Sequence, residues 1–263
     1  MDPNGVDALG HRRRFDIIDE VLADPPVVHY MSEADFVQSR LSGVWSTDRS
    51  CYQFLAERCV AGRDTLETGS GVSTILFAAW GTNHTVVTPG EQEARAIEDY
   101  CRARGIATDR VTFEVSTSDV ALPRRAPDPL DLVLIDGGHG FPTPLLDWYY
   151  AGGCLRKGGV LVVDDLQLPA VKVLDDYLSR DGRWRAVGGN QKWIAYERLS
   201  EGPLGEDWFH QPFFAGPPPP TLSGPIELKL RAGLDRARRR ARSALDRRAG
   251  RGEPSPGRDV DSE

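Results

Sequence analysis

Three carboxylates stand directly after two apolar runs of the sequence. Asp136 follows Leu130–Ile135, and Asp164 and Asp165 follow Val160–Val163. If both runs are neighbouring parallel strands, their carboxyl ends bring the three side chains together. Three close carboxylates repel one another, so either a cation lies among them or they share a proton. Oxygen ligands favour Mg²⁺. The competing interpretation is that Asp164 and Asp165 only cap the helix that follows them.

A histidine lies three residues beyond the first of these acids, in Asp136-Gly137-Gly138-His139. A histidine imidazole can take a proton from a hydroxyl group near neutral pH. The two glycines give the loop freedom to place the ring. His139 is therefore a candidate general base, and an ordinary loop histidine is the alternative.

A second group of candidate residues surrounds a glycine turn. Thr65 to Ala78 has the pattern of a strand end, a turn at Gly69-Ser70-Gly71 and the start of a helix. The glycines can take positive φ and let another molecule approach the backbone, which the first N–H groups of the helix would face. Glu67 ends the strand two residues before the first glycine. A dinucleotide fingerprint needs a glycine where Thr74 stands, which disfavours a nicotinamide oxidoreductase.

These residues are positioned by an alternation of strands and helices between about 61 and 198. Strands are predicted at 64–67, 84–88, 111–116, 130–135 and 160–163, and helices at 75–80, 91–104, 144–155 and 170–178. A turn is predicted at 157–159, and a final strand pair at 184–187 and 192–197. Continuous apolar strands separated by helices indicate a parallel sheet covered on both faces, with an antiparallel hairpin at one edge.

The turn Glu67-x-Gly69-x-Gly71 and this strand order resemble class I S-adenosylmethionine-dependent methyltransferases. The resemblance covers about 61–198. It implies an α/β, Rossmann-like fold with a mostly parallel seven-stranded sheet, an antiparallel edge strand and helices on both faces. Within that fold the chain is most similar to small-molecule O-methyltransferases of the macrolide-sugar, cephalosporin and catechol type.

The resemblance also implies which residues bind the cofactor. They belong to the glycine turn and to later strand ends: Glu67, Gly69, Ser70, Gly71, Ser73, Thr74, Asp119 and Asp136. Asp119 would meet the adenine amino group. Class I enzymes usually carry an acid at the end of the second strand for the ribose hydroxyls. Here Thr88-Pro89-Gly90-Glu91 stands there, with Glu91 displaced by three residues.

In metal-dependent O-methyltransferases the same strand ends supply the metal ligands. This implies Asp136, Asp164 and Asp165 as ligands of Mg²⁺, which would hold a substrate hydroxyl or diol and lower its pKa. A lysine base occupies the position of His139 in the catechol-type enzymes, and a histidine is used in the sugar-modifying relatives. His139 and Asp136 are therefore implied as catalytic residues.

The segments on either side of this domain differ from it in composition. Residues 1–60 are predicted to form a helical cap, with helical spacing at 14–22 and further helices that start near Ser32 and at Ser46-Thr47-Asp48. Residues 199–263 contain a proline-rich linker at 216–220, a basic helix and a disordered C-terminus. The basic segment 229–251 has ten Lys or Arg residues against two Asp, a net charge of +8. It could contact an anionic membrane or an acidic partner.

The bulk composition limits the remaining classes. The chain has 263 residues, 40% hydrophobic residues and a net charge of −7, which predicts a packed core and argues against a nucleic-acid partner for the body. No apolar run reaches the ~20 residues that span a bilayer, and the N-terminus lacks a signal-peptide core. A cytoplasmic location is expected, with the four cysteines as buried, reduced thiols.

The sequence thus predicts an S-adenosylmethionine-dependent methyltransferase acting on a hydroxyl of a small molecule, such as a sugar, a phenol or another natural product, with divalent-metal assistance. Two alternatives stay open. One is a metal-free methyltransferase, and the other is a non-catalytic adaptor of the same fold recruited by its basic tail.

Overall fold

A computed structural model of the protein describes residues 8–28, 46–202 and 204–205. Its strands are, in chain order, β1 (Asp64–Thr68), β2 (Asn83–Thr88), β3 (Val111–Val115), β4 (Leu130–Ile135), β5 (Leu155–Val163), β6 (Trp184–Gly189) and β7 (Ile194–Arg198). The α-helices of these residues are α1 (Ala8–Ala23), α2 (Arg49–Arg58), α3 (Val72–Ala79), α4 (Glu91–Ala103), α5 (Ser118–Ala121), α6 (Thr143–Ala151) and α7 (Pro169–Leu178).

The seven strands form one sheet in the order β3-β2-β1-β4-β5-β7-β6. Strands β1 to β5 are parallel, and β7 pairs antiparallel with both β5 and β6. The strand order reverses between β1 and β4, and ligands of open α/β sheets bind at such a switch point, beyond the carboxyl ends of the strands. The predicted fold class, with its hairpin at one edge of the sheet, is confirmed.

Each face of the sheet is covered by helices. Every residue of β4 except Asp131 is apolar, because this strand is buried on both faces: Leu134 belongs to one core and Val133 to the other. The first core also contains Ile18 of α1 and Leu55 of α2, so the helices before residue 60 pack directly against the sheet. The second core contains residues of α6 and α7, among them Leu174.

Helix α2 begins where the sequence predicts it. The carboxylate of Asp48 accepts hydrogen bonds from the backbone N–H groups of Ser50 and Cys51, at 3.0 and 3.1 Å, which satisfies two donors of the first turn. A further helix, predicted to start near Ser32, lies outside the described residues. The chain divides into two compact units, Met1–Phe214 and Ala215–Glu263. The second unit, with the linker and the basic segment, also lies outside them.

Two predicted boundaries were wrong by four residues or more. The turn expected at 157–159 is part of β5, because Leu155 pairs with Leu130 and extends the strand backwards. The pairing is interrupted there, and Gly158 takes φ +81°. The helix expected at 144–155 ends at Ala151, and a 3₁₀ turn follows.

Two predictions about composition can be compared with the described residues. All four cysteines are free thiols, three of them buried and Cys154 half-buried. Among the described helices, none combines the length and the apolar character that crossing a bilayer requires.

Candidate active site

The turn between β1 and α3 packs against the turn after β4. Gly69 takes φ +88°. A Cβ atom at this position would lie 2.9 Å from the carbonyl carbon of Asp136 and closer still to its oxygen. Backbone therefore packs on backbone here, and only glycine leaves the space. Gly71 is extended, with φ 170°, so the prediction of positive φ holds for Gly69 alone.

Glu67 and Thr74 stabilise the glycine turn from inside the protein. The Thr74 hydroxyl accepts from the Gly71 N–H at 3.0 Å and donates to Glu67 Oε1. Glu67 is 1% exposed, and its Oε1 lies 3.1 Å from His84 Nε2. Its other oxygen is buried without a hydrogen-bond partner among the described residues. The hydroxyl of Thr74 is thus used by the turn, whereas one carboxylate oxygen of Glu67 is not.

An acid that the sequence analysis missed reaches the same turn. Ser70 Oγ lies 3.0 Å from Thr88 Oγ1 and 3.2 Å from Glu93 Oε2, and Thr88 also donates to Glu93. Glu91, the residue considered for ribose, instead forms an exposed pair with an arginine of its own helix. Glu93 is the third residue of α4 and turns back over Gly90, where a Cβ would lie 2.7 Å from its carboxyl carbon. The sequence signal that could have indicated this contact is Gly90, whose missing side chain leaves space for the Glu93 carboxylate.

The other two predicted cofactor residues differ in exposure. Ser73 is buried in the first turn of α3, and Asp119 is exposed in the first turn of α5, just beyond β3. Both lie beyond the carboxyl ends of parallel strands, as expected. Their contacts with a cofactor stay predictions.

The acids beyond β4 and β5 are accompanied by a lysine that the sequence analysis did not consider. Lys192 Nζ lies 2.6 Å from Asp165 Oδ1 and 3.1 Å from Asp164 Oδ2. Asp164 is 2% exposed, and its Oδ1 accepts from the Thr47 hydroxyl at 2.7 Å. A cation was expected among the three carboxylates, and the chain itself supplies one beside two of them.

The predicted ligand set for Mg²⁺ therefore needs a correction. The side chains whose donor atoms come within 4.8 Å of one another are Asp136, His139 and Asp165. Asp164 is directed to Thr47 and Lys192 instead. Asp136, Asp164 and Asp165 do not fit a divalent ion in this arrangement, because an ammonium group already contacts two of the three carboxylates.

The pKa values of the three acids differ because their surroundings differ. Burial raises the pKa of Asp136 well above its ordinary value, and the charges of Asp164 and Asp165 raise it further. Burial also raises the pKa of Asp164, against the hydrogen bond from Thr47. The hydrogen bond with His139, aided by Lys192, holds the pKa of Asp165 well below its ordinary value. Asp136 is thus the acid most ready to hold a proton.

The candidate base is held by one of these acids. His139 Nε2 lies 3.1 Å from Asp165 Oδ2, and the histidine side chain is 28% exposed. Asp165 takes φ 60°, a left-handed conformation that aspartate tolerates better than most residues. Its carbonyl accepts from the Leu168 N–H at 2.9 Å. The turn that follows β5 thus holds Asp165 in place as the partner of His139.

The aromatic stretch after His139 is mainly structural. Trp148 is buried in the second core. Tyr149 is 47% exposed and lines an apolar cavity of about 230 Å³ with Val173 and Tyr177. None of the predicted site residues lines this cavity, so nothing links it to the acids.

Residues 66–166 match a family model described as a methyltransferase domain. These residues therefore form a domain of the methyltransferase type. The match begins one residue before Glu67 and ends one residue after Asp165, so it spans the predicted site residues and stops short of Lys192. The prediction of an S-adenosylmethionine-dependent methyltransferase is confirmed.

Solved structures of the same fold are similar over most of their length. A protein of Corynebacterium glutamicum is 16% identical, with 74% of this chain and 99% of that chain covered and a TM-score of 0.50. A proposed caffeoyl-CoA O-methyltransferase from Staphylococcus aureus is 12% identical, with 71% and 99% covered and a TM-score of 0.51. The O-methyltransferase NovP is 15% identical, with 73% and 99% covered and a TM-score of 0.51. No curated protein sequence matches the chain.

Proposed function

We propose that this methyltransferase acts on a hydroxyl oxygen of a small molecule, such as a sugar, a phenol or another natural product, with His139 as general base. The observation that carries the proposal is the His139–Asp165 contact of 3.1 Å beyond the end of β5. Two of the similar structures are O-methyltransferases by description, which supports an oxygen acceptor.

The cofactor would bind over the glycine turn. Glu67 has a buried carboxylate oxygen next to this turn that no described residue contacts by a hydrogen bond, which suits the ammonium group of S-adenosylmethionine. Glu93 contacts Ser70 at 3.2 Å, and this contact with the glycine turn supports a role for its carboxylate in accepting from the ribose hydroxyls. The absence of a side chain at Gly69 lets the turn after β4 pack directly against this glycine turn, so that Asp136 lies next to the proposed cofactor position.

Asp165 sets the tautomer of the base. Its carboxylate is an acceptor, so His139 Nε2 carries the hydrogen and Nδ1 keeps its lone pair. Nδ1 then takes the proton of the acceptor hydroxyl as the oxygen forms its new bond to carbon. S-adenosylmethionine, when bound, supplies the methyl group from its sulfonium sulfur. The negative charge of Asp165 stabilises the imidazolium that results.

The proposal is tested with His139→Ala in two assays. Binding of S-adenosylhomocysteine, measured as a rise in melting temperature, should persist because His139 lies outside the glycine turn. Turnover should fall by roughly 10²–10⁴-fold, with a smaller loss at high pH, where the acceptor hydroxyl ionises unaided. The acceptor is first found by screening sugars and phenols with adjacent hydroxyls for a product one methyl group heavier.

Asp109→Asn is the surface control, because Asp109 is exposed in the turn before β3, at the end of the strand opposite to the site, and the change should leave turnover and its dependence on pH unchanged. Full turnover by His139→Ala would refute the role of the base. A protein that is stabilised by NADH and not by S-adenosylhomocysteine would refute the whole proposal. A non-catalytic adaptor would bind S-adenosylhomocysteine without methylating any acceptor.

Divalent-metal assistance is a second candidate, favoured by the donor atoms of Asp136, His139 and Asp165 within 4.8 Å of one another. In that arrangement His139 would be a ligand and not the base. The two candidates therefore differ in their response to EDTA. Turnover that survives EDTA and Asp136→Asn would exclude the metal, and calorimetry with Mg²⁺ would show binding that His139→Ala weakens if the metal is present.

A further inference from the structure

The position of Lys192 follows from the register with which β7 pairs with β5. Strand β7 pairs antiparallel with β5, and Val163 lies opposite Ile194. The same register, continued by two residues, places Lys192 opposite Asp165. A backbone hydrogen bond of 2.8 Å from the Leu166 N–H to the Lys192 carbonyl continues the pairing. The lysine is therefore placed beside the acids by the sheet itself.

A second set of contacts fixes the backbone of this lysine. Asn190 Oδ1 accepts from the Lys192 N–H at 2.7 Å. The Asn190 amide in turn donates to Asp48 Oδ2 at 2.7 Å, at the start of α2. The backbone of Lys192 is thus fixed both by the sheet and, through Asn190, by the start of α2.

The carboxylates around the ammonium are fully engaged. Asp164 is shared between Thr47, at 2.7 Å, and Lys192, at 3.1 Å. Asp165 Oδ1 accepts from Lys192 at 2.6 Å and from Gln167 at 2.8 Å, while its Oδ2 contacts His139. A divalent ion needs short bonds to such oxygens. It would have to displace the ammonium, or stay close to its like charge.

We propose that the ammonium group of Lys192 takes the place of a divalent cation in this active site. It neutralises Asp164 and Asp165 and keeps one of its three N–H donors for the acceptor oxygen. The side chain is 32% exposed, so a bound acceptor can reach it. As a positive group beside the reacting oxygen, it stabilises the charge that develops when His139 removes the proton.

This inference rests on the proposed methyl transfer, and its test does not need the acceptor. The probe is Mn²⁺, titrated by calorimetry into the wild-type protein, Lys192→Gln and Lys192→Arg. Wild type and Lys192→Arg should show no binding tighter than millimolar. Lys192→Gln should bind Mn²⁺ at least roughly tenfold more tightly, because three close carboxylates then lack a cation. Once an acceptor is known, wild-type turnover should be unaffected by EDTA.

Micromolar binding of Mn²⁺ by the wild-type protein would overturn the inference, and so would Lys192→Gln binding no more tightly than wild type. Circular dichroism shows whether each variant is folded. If Lys192→Gln does not fold, the wild-type and Lys192→Arg titrations still decide. The shift in melting temperature with S-adenosylhomocysteine is measured on the same samples. If S-adenosylhomocysteine does not raise the melting temperature of the wild-type protein, that result counts against the methyltransferase proposal and not against the role of Lys192.

Discussion

Replacing Gly69 by alanine tests the contact between the two turns that form the site. The new Cβ would lie 2.9 Å from the carbonyl carbon of Asp136 and closer to its oxygen. Neither atom belongs to a flexible side chain, so a turn must move. The positive φ of +88° costs an alanine about 1–2 kcal/mol, and overpacking adds about 1–3 kcal/mol. We expect a loss of roughly 2–5 kcal/mol in the free energy of unfolding, measured by urea denaturation.

Binding should fall together with stability. Because the turn that carries Asp136 would shift against the glycine turn, affinity for S-adenosylhomocysteine should drop by at least roughly tenfold, or about 1.4 kcal/mol, in calorimetry. Gly105→Ala is the control, since Gly105 also has a positive φ, +67°, and no atom of the described part of the chain lies within 4 Å of its Cβ position. It should lose only the conformational part and bind normally. Equal destabilisation by both variants, with binding retained in both, would refute the close approach as the reason for glycine at 69.

Three further predictions follow from single contacts. Asp136→Asn should raise the melting temperature at pH 8 by a few degrees, because a carboxyl whose pKa is raised by folding costs stability once the pH exceeds its pKa in the unfolded chain, about 4. The gain in melting temperature should vanish as the pH falls to 4, and a gain that does not change with pH would contradict the prediction. Thr47→Val should cost roughly 1–3 kcal/mol in urea denaturation, since it removes the hydrogen bond to buried Asp164; a Thr47→Ser variant that is equally unstable would argue against the hydroxyl. Deleting 217–263 should leave S-adenosylhomocysteine affinity unchanged and weaken binding to anionic vesicles at low salt, which intact protein that ignores such vesicles would disprove.

The sequence was most informative where both faces of a strand are buried. Leu130–Ile135 was placed to the residue, because five of its six side chains enter one of the two cores and the run has clear ends. The sequence was least informative around 155–159. Glycine and lysine there indicate a turn, whereas pairing with β4 decides that the segment is strand.

The same division applies to the site. The residues of the glycine turn and the acids beyond β4 and β5 could be found from the sequence, because strand ends and turns are local features. Glu93 was missed because one helical turn, and the missing side chain of Gly90, bring it back to Ser70. Such a contact depends on the path of the helix and not on the distance from the strand end.

What the sequence by itself determined is the order of the elements, the class of enzyme and the acids at the strand ends. Only the tertiary structure decided what neutralises those acids. The sequence predicted a hairpin at the edge of the sheet. It did not predict the register with which β7 pairs with β5. Pairing of Val163 with Ile194 places Lys192 beside Asp165, although 27 residues separate them in the chain. A local pattern contains no information about such a contact, because it forms only when the sheet is complete.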